Sequence, residues 1–584
     1  MTIMAGVIGF RNTPPPGEIV AALREGLSRD PRDVRVEHLS ATAYIAKVDL
    51  GAWGAPAFSV AADGSVAALV GEPLLVSSDE DRARHLSRLH AAWDRDDWSD
   101  LDRARGTYCA VHWCESRRIL SLIGDKLGAR PLYYCIIDAS VVFATALRIL
   151  EALPGFQKTM DVRGVTELLC FGAPLGRRTP YANISVLHSG ETVTVRDGTI
   201  ERTRYWRWDR PVRDSAGEPS LRRLYDQFLE ATRARLRGDG SALALLSGGL
   251  DSRCVVGALR ALGTDVTTLN FYRFPERQDR VLAAQVAEAL GTRHHAFALK
   301  HDQRVPHPTK QMLADIAQQD GSVQDRPSVV WTGDGGSVGV GLVYFDTDML
   351  SLAREGRWSD VVDLFLLRHG SRPLARMFQR HLAPDLQRVP YEGVAEELAR
   401  LERAELGRRF HLVLMVNDQR RHLASFYEDI DLHRLELLIP FFDAEFLEAA
   451  LSTSLQDGLR HHMYHRWLGE FPAAVSSVPW QTYPRHEACP LPVPPALSSQ
   501  WDPRLTKQLL AARRPSQLST LRRVRRSSDF PAPILRRSVL GYYELAYRFG
   551  LSDYGYVATA ADIYHRYWRA SEGRYTMSPV EETS

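Results

Sequence analysis

Ser247, Gly248, Gly249, Asp251 and Ser252 are residue types from which an anion-binding loop is built. The apolar run Leu243-Ala244-Leu245-Leu246 before them reads as a buried strand. After Asp251, the apolar residues Val255, Val256, Leu259 and Leu262 recur at helical spacing. Strand, loop and helix in that order aim orphan N–H groups and the positive end of the helix dipole at one point. The hydroxyls of Ser247 and Ser252 add donors. A carboxylate at Asp251 repels phosphate unless a hard divalent cation lies between them, and Mg2+ binds in that manner. Phosphate chemistry with a metal is the first expectation.

The second informative loop is Trp331-Thr332-Gly333-Asp334-Gly335-Gly336-Ser337-Val338-Gly339, after the apolar pair Val329-Val330. Between the two loops, Val266-Thr267-Thr268-Leu269-Asn270-Phe271 predicts a strand, and Asp279 opens an amphipathic helix ending at Gly291. The pair His294-His295 is read as structural, without a metal. Farther on, residues 410–443 read as helical and carry Asp418, Glu428 and Asp429.

The run Ser247-Gly248-Gly249-Leu250-Asp251-Ser252 resembles the pyrophosphate loop of ATP pyrophosphatases, and in particular the asparagine synthetase superfamily. No Walker-type Gly-Lys-Ser/Thr run is present. The resemblance implies a Rossmann-like sheet that cleaves ATP to AMP and pyrophosphate while activating a carboxylate. It places Leu245, Ser247, Gly248, Gly249 and Ser252 at the nucleotide, with Leu269 and Phe271 of the next strand beside the adenine. Gly333, Asp334, Gly335 and Gly336 fit the family's second loop, whereas Ser337-Val338 replaces its acidic pair. The cofactors implied are ATP and Mg2+, with Asp251 as one metal ligand and Asp334 as a candidate second. The run Ile439-Pro440-Phe441-Phe442-Asp443 resembles a family segment ending Pro-Phe-Leu-Asp. Related ring-forming members use a glutamate in this region, which makes Glu428, like Asp334, a candidate to assist an attacking amine. Residues 478–490 stand where the family carries a lysine; Arg485 is the nearest cation, and a planar, always-charged guanidinium is no simple substitute.

The first two hundred residues are β-rich, with short runs at 107–113, 119–123, 132–137, 141–144 and 191–195 separated by turn residues. Gly124-Asp125-Lys126-Leu127-Gly128-Ala129-Arg130-Pro131, Phe143-Ala144-Thr145, Val70-Gly71-Glu72 and Ala5-Gly6-Val7-Ile8-Gly9 resemble the glutaminase-like domain of asparagine synthetases. In glutamine-using members a terminal cysteine precedes that glycine and attacks the amide. Ala5 stands there instead, and Thr2 is displaced by three residues, so this domain is expected to release no ammonia. The fold expected is α/β plus α+β. A degenerate glutaminase-like αββα sandwich spans residues 1–208, an ATP pyrophosphatase domain with added helices spans 219–570, and a polar tail spans 571–584.

The Trp480-Gln481-Thr482-Tyr483-Pro484 run and the Ser337-Val338 departure look like lasso peptide cyclases. That likeness implies adenylation of an Asp or Glu side chain in a precursor peptide, closed to a macrolactam by the peptide's own N-terminal amine. It implies a leader peptidase and a leader-recognition protein as partners. A β-lactam-synthetase-like or ammonia-fed asparagine-synthetase-like ligase is the alternative within the same chemistry, and a non-catalytic ATP-binding scaffold is the alternative outside it. Composition limits the rest. The 584 residues are 45% hydrophobic and 25% charged with net charge +2, an ordinary globular profile that argues against nucleic acid as a partner. No apolar run spans a bilayer. Six scattered cysteines without a CxxC pair fit a reduced, cytoplasmic setting. Arginine pairs at 513–514, 522–523, 525–526 and 536–537 give the C-terminal part a basic face.

Overall fold

The computed structural model describes residues 2–10, 13–75, 81–210, 220–236, 238, 240–274, 277–299, 329–372 and 374–577, without the side chains of 419–422. It is a mixed α/β protein built on two antiparallel sheets and one parallel sheet.

In the first part, two six-stranded sheets face each other. The central strand of one is Thr2–Gly9, paired with Ala43–Asp49 on one side and Ser140–Ala144 on the other. The other is centred on Ile119–Gly124 and Tyr108–Cys114. Met4 and Ile8 from the first sheet and Val111, Trp113 and Leu122 from the second fill one buried cluster, as period-2 alternation requires. Helix Gly17–Gly26 covers the first sheet with Ile19 and Leu23. Helix Arg82–Trp93 covers the second with Leu86, Leu89 and Trp93.

The parallel sheet has five strands, in the order Arg293–Ala298, Asp265–Tyr272, Ser241–Leu245, Val329–Trp331 and Glu436–Leu438. All four pairings are parallel, so the carboxyl ends share one rim, where ligands of such sheets bind. The edge strand Glu436–Leu438 corrects the helical expectation for 410–443. Helix Leu406–Glu428 and the short helix Ile430–His433 end before it. The apolar run after His433 is too short for a further helix, and buried between sheet and helices it is satisfied as a strand.

The two parts meet along residues 428–443 through charge. Arg130 forms a buried ion pair with Glu436 of the edge strand. Arg29 and Arg148 reach Asp431. Arg105 and the fully buried Arg235 both bond Asp443, whose carboxylate also caps helix Ala444–Leu451. The C-terminal end joins the first part too: Tyr575–Thr576 runs parallel to Met160–Asp161. The segment expected as a tail from 571 is therefore part of the fold as far as 577, and 578–584 lie outside the described residues. The six cysteines are all unpaired. No helix among the described residues is long and apolar enough to cross a membrane.

Breaking one side of a buried ion pair strands the other charge, typically at about 3–5 kcal/mol, whereas replacing both sides with apolar groups is often neutral. We expect Arg130→Leu to lower the unfolding free energy by about that amount, and Arg130→Leu/Glu436→Leu to recover most of it. Denaturant titration of the two variants checks this; equal destabilisation would show that the pair itself is not the link.

Candidate active site

The loop at 247–252 closes on itself before any ligand is considered. The Ser252 hydroxyl accepts from the Ser247 N–H at 3.0 Å and lies 3.0 Å from the Ser247 hydroxyl. The Ser247 hydroxyl accepts from the Gly249 N–H at 3.2 Å. Asp279, at the start of helix Gln278–Ala289, accepts from the Gly248 N–H, Asn270 Nδ2 and Gln481 Nε2. Behind the loop lies Arg253, with less than 1% of its surface exposed. Its nitrogens donate to the backbone oxygens of Gly249, Val475, Val478 and Pro479 at 2.7–3.1 Å, with a longer 3.4 Å contact to Gly248.

The second loop packs directly against the first. A Cβ on Gly333 would stand 2.6 Å from the Ser252 nitrogen, and one on Gly336 would stand 2.7 Å from the Asp251 carboxyl carbon. Those contacts exclude every side chain, so the glycines are required by close approach. The contact brings Ser337 onto Asp251. Its N–H donates to Oδ2 at 3.0 Å and its hydroxyl to Oδ1 at 2.8 Å, and the Tyr464 hydroxyl donates to Oδ1 at 2.7 Å.

A cavity of about 340 Å3 opens over these loops. Leu245, Ser247, Asp251, Ser252, Leu269, Phe271, Gly333, Asp334 and Gly335 line it. Gly248 and Gly249 lie within the loop, turned toward Asp279 and Ser247. Arg485 is not in the wall: its side chain is 59% exposed, 3.8 Å from Asp346. Glu428 is not there either. Its carboxylate accepts from the backbone N–H groups of Leu147 and Arg148, at the start of helix Leu147–Glu151, and belongs to the contact between the two parts. Sequence reasoning missed Asn270, Asp279, Tyr344 and Tyr483, which also face the cavity. The acid at the head of the helix beside the first loop was a signal for Asp279, and the Trp480–Pro484 run was one for Tyr483; Tyr344 comes from a distant segment and gave none.

The Asp251 carboxyl is pushed up to about 6, mainly by burial and in smaller part by the nearby Asp334, against the hydrogen bonds from Tyr464 and Ser337. An ionised carboxylate has about four acceptor positions, and three donors reach Asp251, so one remains. A hard divalent ion is a natural occupant of a position beside two neighbouring carboxylates. The donor set fits Mg2+, with Asp251 as the protein ligand and Asp334 next to it.

The pattern of the glutamine amidotransferase domain family matches residues 87–206, and that of asparagine synthase matches residues 223–327. The glutamine-hydrolysing asparagine synthetase 3 of Bacillus subtilis is 22% identical over 257 residues, 40% of this chain and 41% of that one. Asparagine synthetase 1 of the same organism is 22% identical over 191 residues, 32% of this chain and 30% of that one. A Penicillium rubens protein named amidase chyE is 26% identical over 176 residues, 29% of this chain and 26% of that one. Each match thus spans less than half of the relative.

A metal-holding Asp251 must be ionised. Pyrophosphate formation is therefore expected to fall as pH drops through about 6, and excess Mg2+ to move that midpoint lower by mass action. Ser337→Ala removes a hydrogen bond that favours the charged form, so its acid limb is expected at higher pH than wild type. Rate–pH profiles at two Mg2+ concentrations check both; a profile flat between pH 5 and about 8 contradicts the assignment. Glu428→Gln is expected to lower thermal stability and to leave pyrophosphate formation within about threefold of wild type, as for a group that only positions a neighbouring segment.

Proposed function

We propose that this chain, a member of the asparagine synthetase superfamily carrying an ATP-dependent carbon–nitrogen ligase domain, is a peptide macrocyclase of the lasso type. The observation that carries the reading is Ala5. At the position of the family's nucleophile there is a methyl group, fully buried in the middle of strand Thr2–Gly9 and paired with Ala46 and Ala144. It has no atom that can attack glutamine, so the amine is supplied by the substrate.

A free carboxylate resists amine attack because oxide is a poor leaving group. A side-chain carboxylate oxygen of the precursor peptide attacks the α-phosphorus of ATP, and the bond to pyrophosphate breaks. The peptide's N-terminal amine then attacks the acyl carbon, the bond to AMP breaks, and the amine loses a proton. Ser247 and Ser252 meet the pyrophosphate with their hydroxyls, and the Gly249 N–H holds the Ser247 hydroxyl in place for it. Leu269 and Phe271 flank the adenine. Asp251 would hold Mg2+, which would offset phosphate charge when bound. Asp334, whose Oδ2 accepts from the Thr332 hydroxyl at 2.6 Å, faces the cavity and takes the amine proton. The amine has an ordinary pKa of about 7.7–8.0, so a carboxylate suffices. Holding amine and acyl carbon together supplies up to about 7–11 kcal/mol of the barrier. A leader peptidase and a leader-recognition protein are the partners this reading calls for, and the cytoplasm is its setting.

The test is ATP, Mg2+ and a precursor peptide, with both partner proteins supplied, followed by pyrophosphate release and product mass. The expected result is one pyrophosphate per peptide lighter by one water, with both lost in Asp251→Ala. Asp334→Asn is expected to keep pyrophosphate release and lose cyclisation; loss of both would assign Asp334 to the metal. Turnover with ammonia and a small amino acid, and none with peptide, would replace the macrocyclase with the asparagine-synthetase-like ligase. Binding of ATP without turnover of either would leave a scaffold.

A further inference from the structure

Away from the nucleotide cavity, His90, Asp94 and His112 converge on one point of the first part. Among the described residues they are the one group of three metal-ligating side chains whose candidate atoms all lie within 4.8 Å of one another. We infer that these three side chains bind a single first-row divalent transition ion, with zinc the best fit.

Local structure explains the convergence. His90 lies in the last turn of helix Arg82–Trp93, and Asp94 is the residue that ends it. One turn of helix therefore sets the imidazole and the carboxylate on the same face. His112 comes from strand Tyr108–Cys114, on which the helix packs. His112 Nε2 is 2.9 Å from Asp94 Oδ1, and His90 Nε2 is 3.5 Å from Asp94 Oδ2. Zinc–nitrogen and zinc–oxygen bonds of about 2.0–2.2 Å in a tetrahedron put ligand atoms roughly 3.3–3.6 Å apart. The three atoms therefore reach that geometry by adjustments of about an ångström, which side-chain torsions supply.

The surroundings are those of a metal site. His90 Nδ1 lies 2.9 Å from the Ser59 hydroxyl. That contact fixes the ring with Nε2 toward Asp94, as outer partners do for ligating imidazoles. The buried Ser65 hydroxyl lies 2.9 Å from His90 Nε2 and 3.1 Å from Asp94 Oδ2, and marks the fourth position for itself or a water. Trp93 and Trp98 stack on each other beside the His112 ring. The histidines are buried, while a quarter of the Asp94 side chain is exposed, which gives an ion a way in. Burial pushes both imidazoles down, toward the neutral form that ligates. Two imidazoles and one carboxylate favour zinc and its neighbours over Mg2+ or Ca2+. The ion would tie the helix end to the sheet.

The test uses the full chain with any affinity tag removed, stripped with a chelator and titrated with Zn2+ against a chromophoric competitor. We expect one zinc per chain, a visible absorption band of a four-coordinate ion on Co2+ substitution, and a melting temperature raised by Zn2+. His112→Gln and Asp94→Asn are expected to lose the ion with circular dichroism unchanged. Ser59→Ala, which touches no ligand atom of the ion, is expected to fold and to bind about 10–100-fold more weakly. No stoichiometric zinc in the folded wild type, or undiminished stoichiometry in folded His112→Gln and Asp94→Asn, overturns the assignment; the latter would move the ion elsewhere. Should the two ligand variants fail to fold, unchanged affinity in Ser59→Ala together with no Co2+ band in wild type overturns it. Pyrophosphate formation is not the readout, so failure of the macrocyclase reading leaves this one standing.

Discussion

The nucleotide loop depends on a buried guanidinium that has backbone carbonyls, and no carboxylate, among its hydrogen-bond partners. Arg253 follows Ser252 directly and is held by the carbonyls of residues 248–249 and 475–479. Carbonyl dipoles satisfy its N–H groups and leave its full positive charge in place, because Arg stays protonated even when buried. In a poorly polarisable interior that charge is felt over several ångströms, which reaches the loop that lines the cavity. The same side chain fixes the loop mechanically: five donors in a planar fork tie the segment after strand Ser241–Leu245 to a chain stretch more than two hundred residues away. Its positive charge thus stands behind the loop that carries the acid Asp251.

The first part matters to that site although its nucleophile position is an alanine. Its arginines grip residues 431–443, and the strand within that stretch pairs with Val329–Trp331, the strand leading into the second loop. The Thr332 N–H donates to the Leu438 carbonyl, and the Phe441 and Phe442 rings stand where any Cβ on Gly336 or Gly335 would fall. Arg130 thus acts on the cavity through three successive contacts: Glu436, the parallel pairing, and the glycine-rich turn. The first part is thus the brace of the neighbouring sheet edge.

What could be read from the sequence was what is local. Ser241–Leu245, the loop and helix Asp251–Ala261 sit within twenty-one residues, where apolar period and glycines suffice to define strand, turn and helix. Five strands of the first part, Tyr108–Cys114 and Ile119–Gly124 among them, were legible for the same reason. Two features were not. The edge strand Glu436–Leu438 has a helical neighbourhood in sequence, and only its pairing with a strand a hundred residues earlier makes it a strand. Tyr344, Tyr483 and Asn270 reach the cavity by tertiary packing, which leaves no periodic trace. Glu428 and Arg485 show the converse: a plausible residue type near a motif is turned elsewhere by contacts that the sequence does not display.

Ser337 is where the departures meet. An acid at that position would put a third carboxylate beside Asp251 and Asp334, and would need a cation for the fold as much as for the chemistry. A serine there donates twice, through its N–H and its hydroxyl. It holds the Asp251 carboxylate in place without a cation and still leaves it one acceptor position. The two loops are thereby held together by the protein's own hydrogen bonds. Fewer protein ligands mean a more open coordination sphere, and more of it falls to phosphate oxygens and water.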